Sequence, residues 1–240
     1  MNTSTERYTV VIIEPRKHKA FKFIIKNILD NLDNNWDIQI FHGINNKNYI
    51  ENIININFIN FSNRFFFENL NIDNITPYPQ EYNRLFTDHT FYDKIRTETF
   101  LIFHLDAMIL FNNKNNIYNF LKYDYVGAPW IDIPAIFHGI TVGNGGLSLR
   151  KKSKMIEIIN NYLYDGSHED YYFSKHLYHN GYNIPSVKEA EDFSSELILS
   201  PTSFGIHSPW LHHSIDNIAK IYNIYMSDIM ELIELQGCEN

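Results

Sequence analysis

The sequence predicts an α/β fold built on a mostly parallel central sheet. Three observations carry this. The first 61 residues alternate strand and helix patterns in the order β-α-β-α-β, which calls for parallel strands with crossover helices. Thr99–His104 is the most apolar strand in the chain and belongs at the centre of a sheet. The 240 residues suffice for one large domain or two small ones, and no Gly/Ser/Pro linker divides them.

The elements follow in order. Tyr8–Ile13 is a short β-branched run and reads as a buried strand. Lys17–Leu32 carries apolar residues at Phe21, Ile24, Ile25, Ile28, Leu29 and Leu32, the spacing of a helix. Trp36–Phe41 alternates as a strand and stops at His42-Gly43; Tyr49–Ile54 is a helical turn or two; Asn57–Phe61 reads as a third strand. Ile72–Pro79 is loop. Gln80–Ile95 is helical with a break near Thr87, and Ile117–Leu121 is a short helix. Tyr125–Trp130 leaves that helix through a turn. A glycine cluster follows in Thr141–Leu149, then helices over Lys151–Tyr162 and His168–His179. Phe193–Leu199 is strand-like, Ser203–Trp210 is loop, and Ile215–Leu235 is helical with a break near Tyr225.

Composition narrows the class. Twenty Lys+Arg against 28 Asp+Glu give a net charge of −8, which argues against a nucleic-acid partner or an anionic membrane surface. One cysteine, Cys238, allows no internal disulfide. No apolar run approaches the ~18–20 residues of a membrane span. The start, MNTSTERYTVVII, has no basic segment followed by a small-residue cleavage site, so no signal peptide is expected. A cytoplasmic protein in a reducing compartment is the expectation. Asn and Ile are in excess, which an AT-rich genome explains without any function. Aromatic residues make up 15% of the chain; most belong in the core, and some could pack on the apolar face of a sugar ring.

Four places can carry chemistry. His104 and Asp106 stand at the end of the central strand, two residues apart and so on one face if the strand continues. In open α/β sheets the ligand crevice lies beyond the carboxyl ends of the strands. Asp106 then either holds a divalent metal or caps the next segment, with His104 packed in the core. Gly143, Gly145 and Gly146 let backbone approach a ligand or simply make a tight turn before the strand GLSLR; the spacing is neither a dinucleotide fingerprint nor a Walker loop. Glu169-Asp170 opens a helix, where acids suit the helix dipole or could supply a general base. His207 lies in a stiff Gly- and Pro-flanked loop.

In order, an apolar strand ending in Asp, a Gly-Gly loop, a Glu-Asp pair and a C-terminal loop His resemble inverting GT-A glycosyltransferases, notably the fringe-like and core galactosyltransferase group. The chain resembles more closely an uncharacterised family of glycosyltransferase-like proteins of bacteria, algae, fungi and large DNA viruses. The matching stretches are VIIEPRKH, WDIQIFHG, EYNRLF, FLIFHLDAMIL, YDYVGAPW, VGNGGLSLR, EDYYFS and FGIHSPW, from about residue 8 to about residue 211.

That resemblance implies a single GT-A-like domain over 1–240. Its Rossmann-like nucleotide-sugar half spans about 8–106, its more irregular acceptor half about 107–211, and a helical tail 212–240. Glu14 and Arg16 would border the nucleotide. Asp106 matches the last Asp of the DxD metal motif, and His207 matches the C-terminal metal-binding His. Asn144, Gly145 and Gly146 would shape the sugar or acceptor pocket. Asp170 would be the base, with Glu169 the second choice. The implied cofactor is Mn²⁺ or Mg²⁺, the donor a UDP-sugar, and the acceptor a glycan or glycoprotein. One departure is that His104 replaces the first Asp of DxD, where the related family tends to carry Gln. The family range and the Asn/Ile bias fit a large-virus source, with action in the host cytoplasm or virus factory.

Two other readings stay open on the residues. One is a GT-A-like module that binds sugar or nucleotide without turnover. The other is an iron/2-oxoglutarate oxygenase, whose 2-His-1-carboxylate set His104, Asp106 and His207 would spell. The β-α-β-α-β opening argues against the second, since those enzymes are double-stranded β-helices.

Overall fold

A computed structural model describes residues 6–75, 80–130 and 139–237. In chain order the elements are β1 (Tyr8–Glu14), α1 (Phe21–Asn31), β2 (Trp36–His42), α2 (Lys47–Asn57), β3 (Phe65–Asn69), α3 (Gln80–Phe86) and α4 (His89–Lys94). Then come β4 (Thr99–Phe103), β5 (Ala107–Ile109), α5 (Ile117–Phe120), β6 (Tyr125–Val126), β7 (Leu147–Lys151), α6 (Lys152–Asn161) and α7 (Glu169–His179). The last are α8 (Val187–Glu191), β8 (Ser194–Ser195), β9 (Gly205–His207), α9 (Ile215–Tyr222) and α10 (Met226–Gln236).

Six strands form one sheet in the order β3-β2-β1-β4-β7-β6. The first four are parallel, as the opening alternation predicts; β7 runs antiparallel between β4 and β6. Because side chains alternate along a strand, Val10 and Ile12 face one layer while Val11 faces the other. Burial on both faces is why β1 reads as a continuous apolar run. The first layer contains α1, whose Phe21, Ile24, Ile25 and Ile28 form one apolar stripe, together with Ile218, Tyr222 and Ile229 of the C-terminal helices. The second contains Phe86, Phe91, Tyr92, Met155 and Phe173. A smaller sheet, β5-β9-β8, lies beyond the end of β4. No helix among the described residues is long and apolar enough to cross a membrane.

Several expectations need correction. The strand expected at Asn57–Phe61 is instead the end of α2 and a 3₁₀ turn over Ile59–Arg64; the third strand is Phe65–Asn69. The buried Arg64 guanidinium accounts for the shift. It donates to the carbonyls of Trp36 (3.0 Å), Asp33 (2.9 Å) and Leu32 (3.3 Å), so the turn is tied to the start of β2 and pairing begins one residue later. Of Phe193–Leu199 only Ser194–Ser195 pairs as strand, and the expected loop Ser203–Trp210 contains β9. The helical interruption expected near Thr87 is present: Asp88 caps α4 by accepting from the Thr90 amide. Residues 76–79 of the expected Ile72–Pro79 loop, and Cys238, lie outside the described residues.

Arg64→Ala should strand three carbonyls around a buried gap. The expected cost is about 2–4 kcal/mol, read as a lower urea midpoint with an unchanged slope. An unchanged midpoint would show that the tie to β2 contributes nothing.

Candidate active site

The central strand stops at Phe103, one residue before the expected end. His104–Asp106 is a turn closed by the Ala107 amide donating to the His104 carbonyl (3.2 Å). His104 and Asp106 therefore share the site through a turn rather than through strand alternation. The chain then re-enters as β5, which pairs antiparallel with β9 and sets Ala107 opposite His207. This register brings the His207 Nε2 to 3.3 Å from Asp106 Oδ1. Ser208 clamps the contact: its amide donates to the Asp106 carbonyl (3.1 Å) and its hydroxyl to Oδ2 (2.5 Å). It does so from a left-handed conformation, φ 44°, uncommon for a residue with a side chain.

The other side of His207 faces Glu196, whose Oε1 is 3.4 Å from Nδ1. Glu196 is buried, and its Oε2 has no hydrogen-bond partner among the described residues. His104 holds Tyr82 through its Nε2 (2.5 Å) and meets the His207 ring edge-on at 5.4 Å between centroids. One donor atom from each of His104, Asp106 and His207 lies within 4.8 Å of the others. Gly146 makes this packing possible: a Cβ there would sit 2.1 Å from His207 Nε2.

The charges follow from these contacts. Burial, and then the neighbouring His207, push the His104 imidazole down to about 4, so it is neutral. Burial would neutralise His207, but the Asp106 and Glu196 carboxylates outweigh it and raise the imidazolium to about 10. Burial would likewise raise Asp106; His207 and the bond from Ser208 instead hold its carboxyl well below the usual carboxylate range. The charged His207 ring thus lies between two carboxylates, with Nε2 toward Asp106 and Nδ1 toward Glu196. Two imidazoles and a carboxylate around that position form a donor set a divalent transition ion can use, so these residues fit a metal.

The glycine loop closes on itself and on α7. Asn144 Oδ1 accepts from the Gly146 amide (3.1 Å), and the Gly145 amide donates to Asp170 Oδ2 (3.1 Å). Asp170 is half-buried. Burial, and then the adjacent Glu169, push its carboxyl up to about 7. Glu169, the second candidate for a base, is committed elsewhere. Both its oxygens accept from the fully buried Arg150 (2.7 and 2.9 Å), whose guanidinium sits against the rings of Tyr125 and Phe86. A carboxylate locked in a bidentate ion pair is a poor proton acceptor.

Two cavities meet at His104 and Asp106. One, about 410 Å³, contains Asn144, Gly145, Gly146, Glu169, Asp170 and His207, and is completed by Glu196 and Leu211. The other, about 320 Å³, contains Glu14, Arg16 and His18 at the end of β1 and Gln236 of α10. Glu14 and Arg16 face each other in a bidentate pair (2.8 and 2.9 Å). Asn46 staples this loop by donating to the carbonyls of Glu14 (2.8 Å) and Arg16 (2.7 Å). The structure thus gathers eight of the ten sequence candidates at the first cavity and places Glu14 and Arg16 in the second. Sequence reasoning missed Tyr82, Arg150, Glu196 and Ser208. Arg150 had a signal, an arginine alternating with Leu147 and Leu149 in a buried strand; Glu196 had none.

The chain belongs to the family described as protein of unknown function (DUF5672), whose model matches residues 55–207. No curated protein matches the sequence. Among solved structures it is similar to the apo form of the glycosyltransferase GlyE of Streptococcus pneumoniae TIGR4, with a TM-score of 0.55 at 12% identity. That match covers 96% of this chain and 64% of GlyE, so the chain spans a little under two thirds of that structure. The fold is therefore GT-A-like and similar to that of GlyE. HddC from Yersinia pseudotuberculosis also matches, at 16% identity over 68% of this chain and 83% of that one; its TM-score of 0.43 adds nothing to the fold.

The buried pair yields a stability test. Arg150→Met should cost about 3–5 kcal/mol in denaturant unfolding, because it strands the Glu169 charge. Adding Glu169→Leu should recover much of the loss. A double variant no more stable than Arg150→Met would contradict this.

Proposed function

We propose that the protein is a metal-assisted glycosyltransferase that moves a sugar from a UDP-linked donor to a hydroxyl of a glycan or glycoprotein, with inversion. The observation that carries this reading is the meeting of two cavities at His104 and Asp106 within a glycosyltransferase fold. On this reading residues 8–106 serve the donor and 107–211 the acceptor. The donor's nucleotide occupies the cavity with Glu14 and Arg16. The transferred sugar reaches past Asp106 toward Asn144, Gly145 and Gly146. Uridine comes from the family resemblance rather than from any one residue.

Asp170 takes the proton. The acceptor oxygen bonds to the anomeric carbon, the carbon–oxygen bond to the diphosphate breaks, and its electron pair leaves with the diphosphate. The acceptor's proton passes to Asp170, whose raised pKa near 7 suits a base working at neutral pH. A divalent ion held by His104, Asp106 and His207 would neutralise charge on the departing diphosphate. The Gly145 amide keeps the Asp170 carboxylate oriented. Glu169 serves by fixing the start of α7 through Arg150. A single displacement inverts the anomeric centre. The oxygenase alternative loses its fold: a mostly parallel six-stranded sheet is not a double-stranded β-helix.

Transfer from a panel of UDP-sugars should rise about tenfold per pH unit below 7 and level off above it, because only ionised Asp170 accepts a proton. Asp170→Asn should abolish turnover and leave UDP binding within a few-fold. A product with the donor's own anomeric configuration, or full activity in the variant, would overturn the assignment.

A further inference from the structure

We infer that the cation site is built for a first-row transition ion such as Co²⁺ or Zn²⁺ and discriminates against Mg²⁺. The inference rests on the transferase reading for the ion's task, though not for its identity. Its ground is the donor set: two imidazoles and one carboxylate, with donor atoms within 4.8 Å of one another. Mg²⁺ takes oxygen ligands and gives up water reluctantly, whereas imidazole suits Zn²⁺, Co²⁺, Fe²⁺ and Mn²⁺. His104 is the residue that shifts the balance from oxygen to nitrogen.

Outer partners hold these donors as they are held in metal sites. The Tyr82 hydroxyl sits on His104 Nε2 and fixes that ring. His207 turns Nε2 toward Asp106 and Nδ1 toward Glu196, whose Oε1 lies 3.4 Å away without closing a hydrogen bond, so Nε2 is the nitrogen placed to ligate and Glu196 is the carboxylate nearest the other side of the ring. A histidine ligand backed by a carboxylate has a fixed tautomer and a more basic donor nitrogen. The buried Oε2 of Glu196 has no hydrogen-bond partner among the described residues. Ser208 fixes the Asp106 carboxylate. The Gly146 backbone packs so closely on the His207 ring that the ring has little room to turn away.

The test is calorimetric titration of the metal-stripped full chain with Mg²⁺, Mn²⁺, Co²⁺ and Zn²⁺ separately, without nucleotide. The visible absorption of bound Co²⁺ gives a second readout. One Co²⁺ or Zn²⁺ per chain should bind about two orders of magnitude more tightly than Mg²⁺, with Mn²⁺ between. Glu196→Gln should weaken Co²⁺ about 10- to 100-fold and alter its spectrum while thermal unfolding stays cooperative. His104→Asp should narrow the gap between Co²⁺ and Mg²⁺ by about tenfold or more. Mg²⁺ binding as tightly as Co²⁺, or Co²⁺ affinity unchanged in both His104→Ala and His207→Ala, would overturn the inference. UDP-sugar binding measured in parallel separates the two claims. Selective ion binding without nucleotide binding supports this inference and removes the transferase reading; nucleotide binding with no preference over Mg²⁺ does the reverse.

Discussion

The site depends on a three-residue ladder. The antiparallel pairing of β5 with β9 makes neighbours of a carboxylate and an imidazole that lie about a hundred residues apart in the chain. Its register is not free to drift, because a slip of one residue would turn every side chain to the opposite face. Gly205 holds the register from one end: a Cβ there would meet Leu147 Cδ2 at 2.6 Å and the Met108 carbonyl at 2.8 Å. Ser208 holds the other end, with one bond to the Asp106 backbone and one to its side chain. A short ladder alone is weak; these close contacts and side-chain bonds make it specific.

A second constraint sets the opposite wall. Arg150 projects from β7 into the layer of α3 and α7, where two charges are out of water together. Desolvation makes such a pair a poor source of net stability, but its geometry is exacting. Both guanidinium arms are used on Glu169, Nε donates to Ser148 Oγ (2.9 Å), and that hydroxyl donates to the Gly145 carbonyl (2.9 Å). The chain of bonds fixes the glycine loop and the first turn of α7 relative to each other. Asp170 therefore stands beside Gly145 rather than in open solvent, and burial can raise its pKa.

Much of the frame was legible in the sequence, for physical reasons. β1 and β4 are buried on both faces and read as apolar runs, β2 shows strand alternation, and α1 shows its stripe directly. The carboxyl end of β4 is where a parallel sheet opens a crevice, so Asp106 stood out. What stayed hidden depends on contacts distant in sequence. β3 is partly exposed, and its position depends on where Arg64 finds carbonyls, just after α1 and at the start of β2. β9 has three residues, too few to show a period. Glu196 follows a two-residue strand and matters only because His207 folds onto it. Tyr82 lay inside a recognised helix, but nothing in that helix pointed at His104. The resemblance ranks Asp170 ahead of Glu169 as the base, and the structure shows Glu169 occupied by the buried Arg150.

The proposed transfer requires that the cavity at the end of β1 take a nucleoside diphosphate that meets a metal at Asp106. Calorimetric titration of UDP into the purified chain, with and without Mn²⁺ and beside Asp106→Ala, tests it most directly. Saturable binding that requires the ion and disappears in the variant is expected. Binding that ignores both the ion and Asp106, or no binding at millimolar UDP, would contradict it.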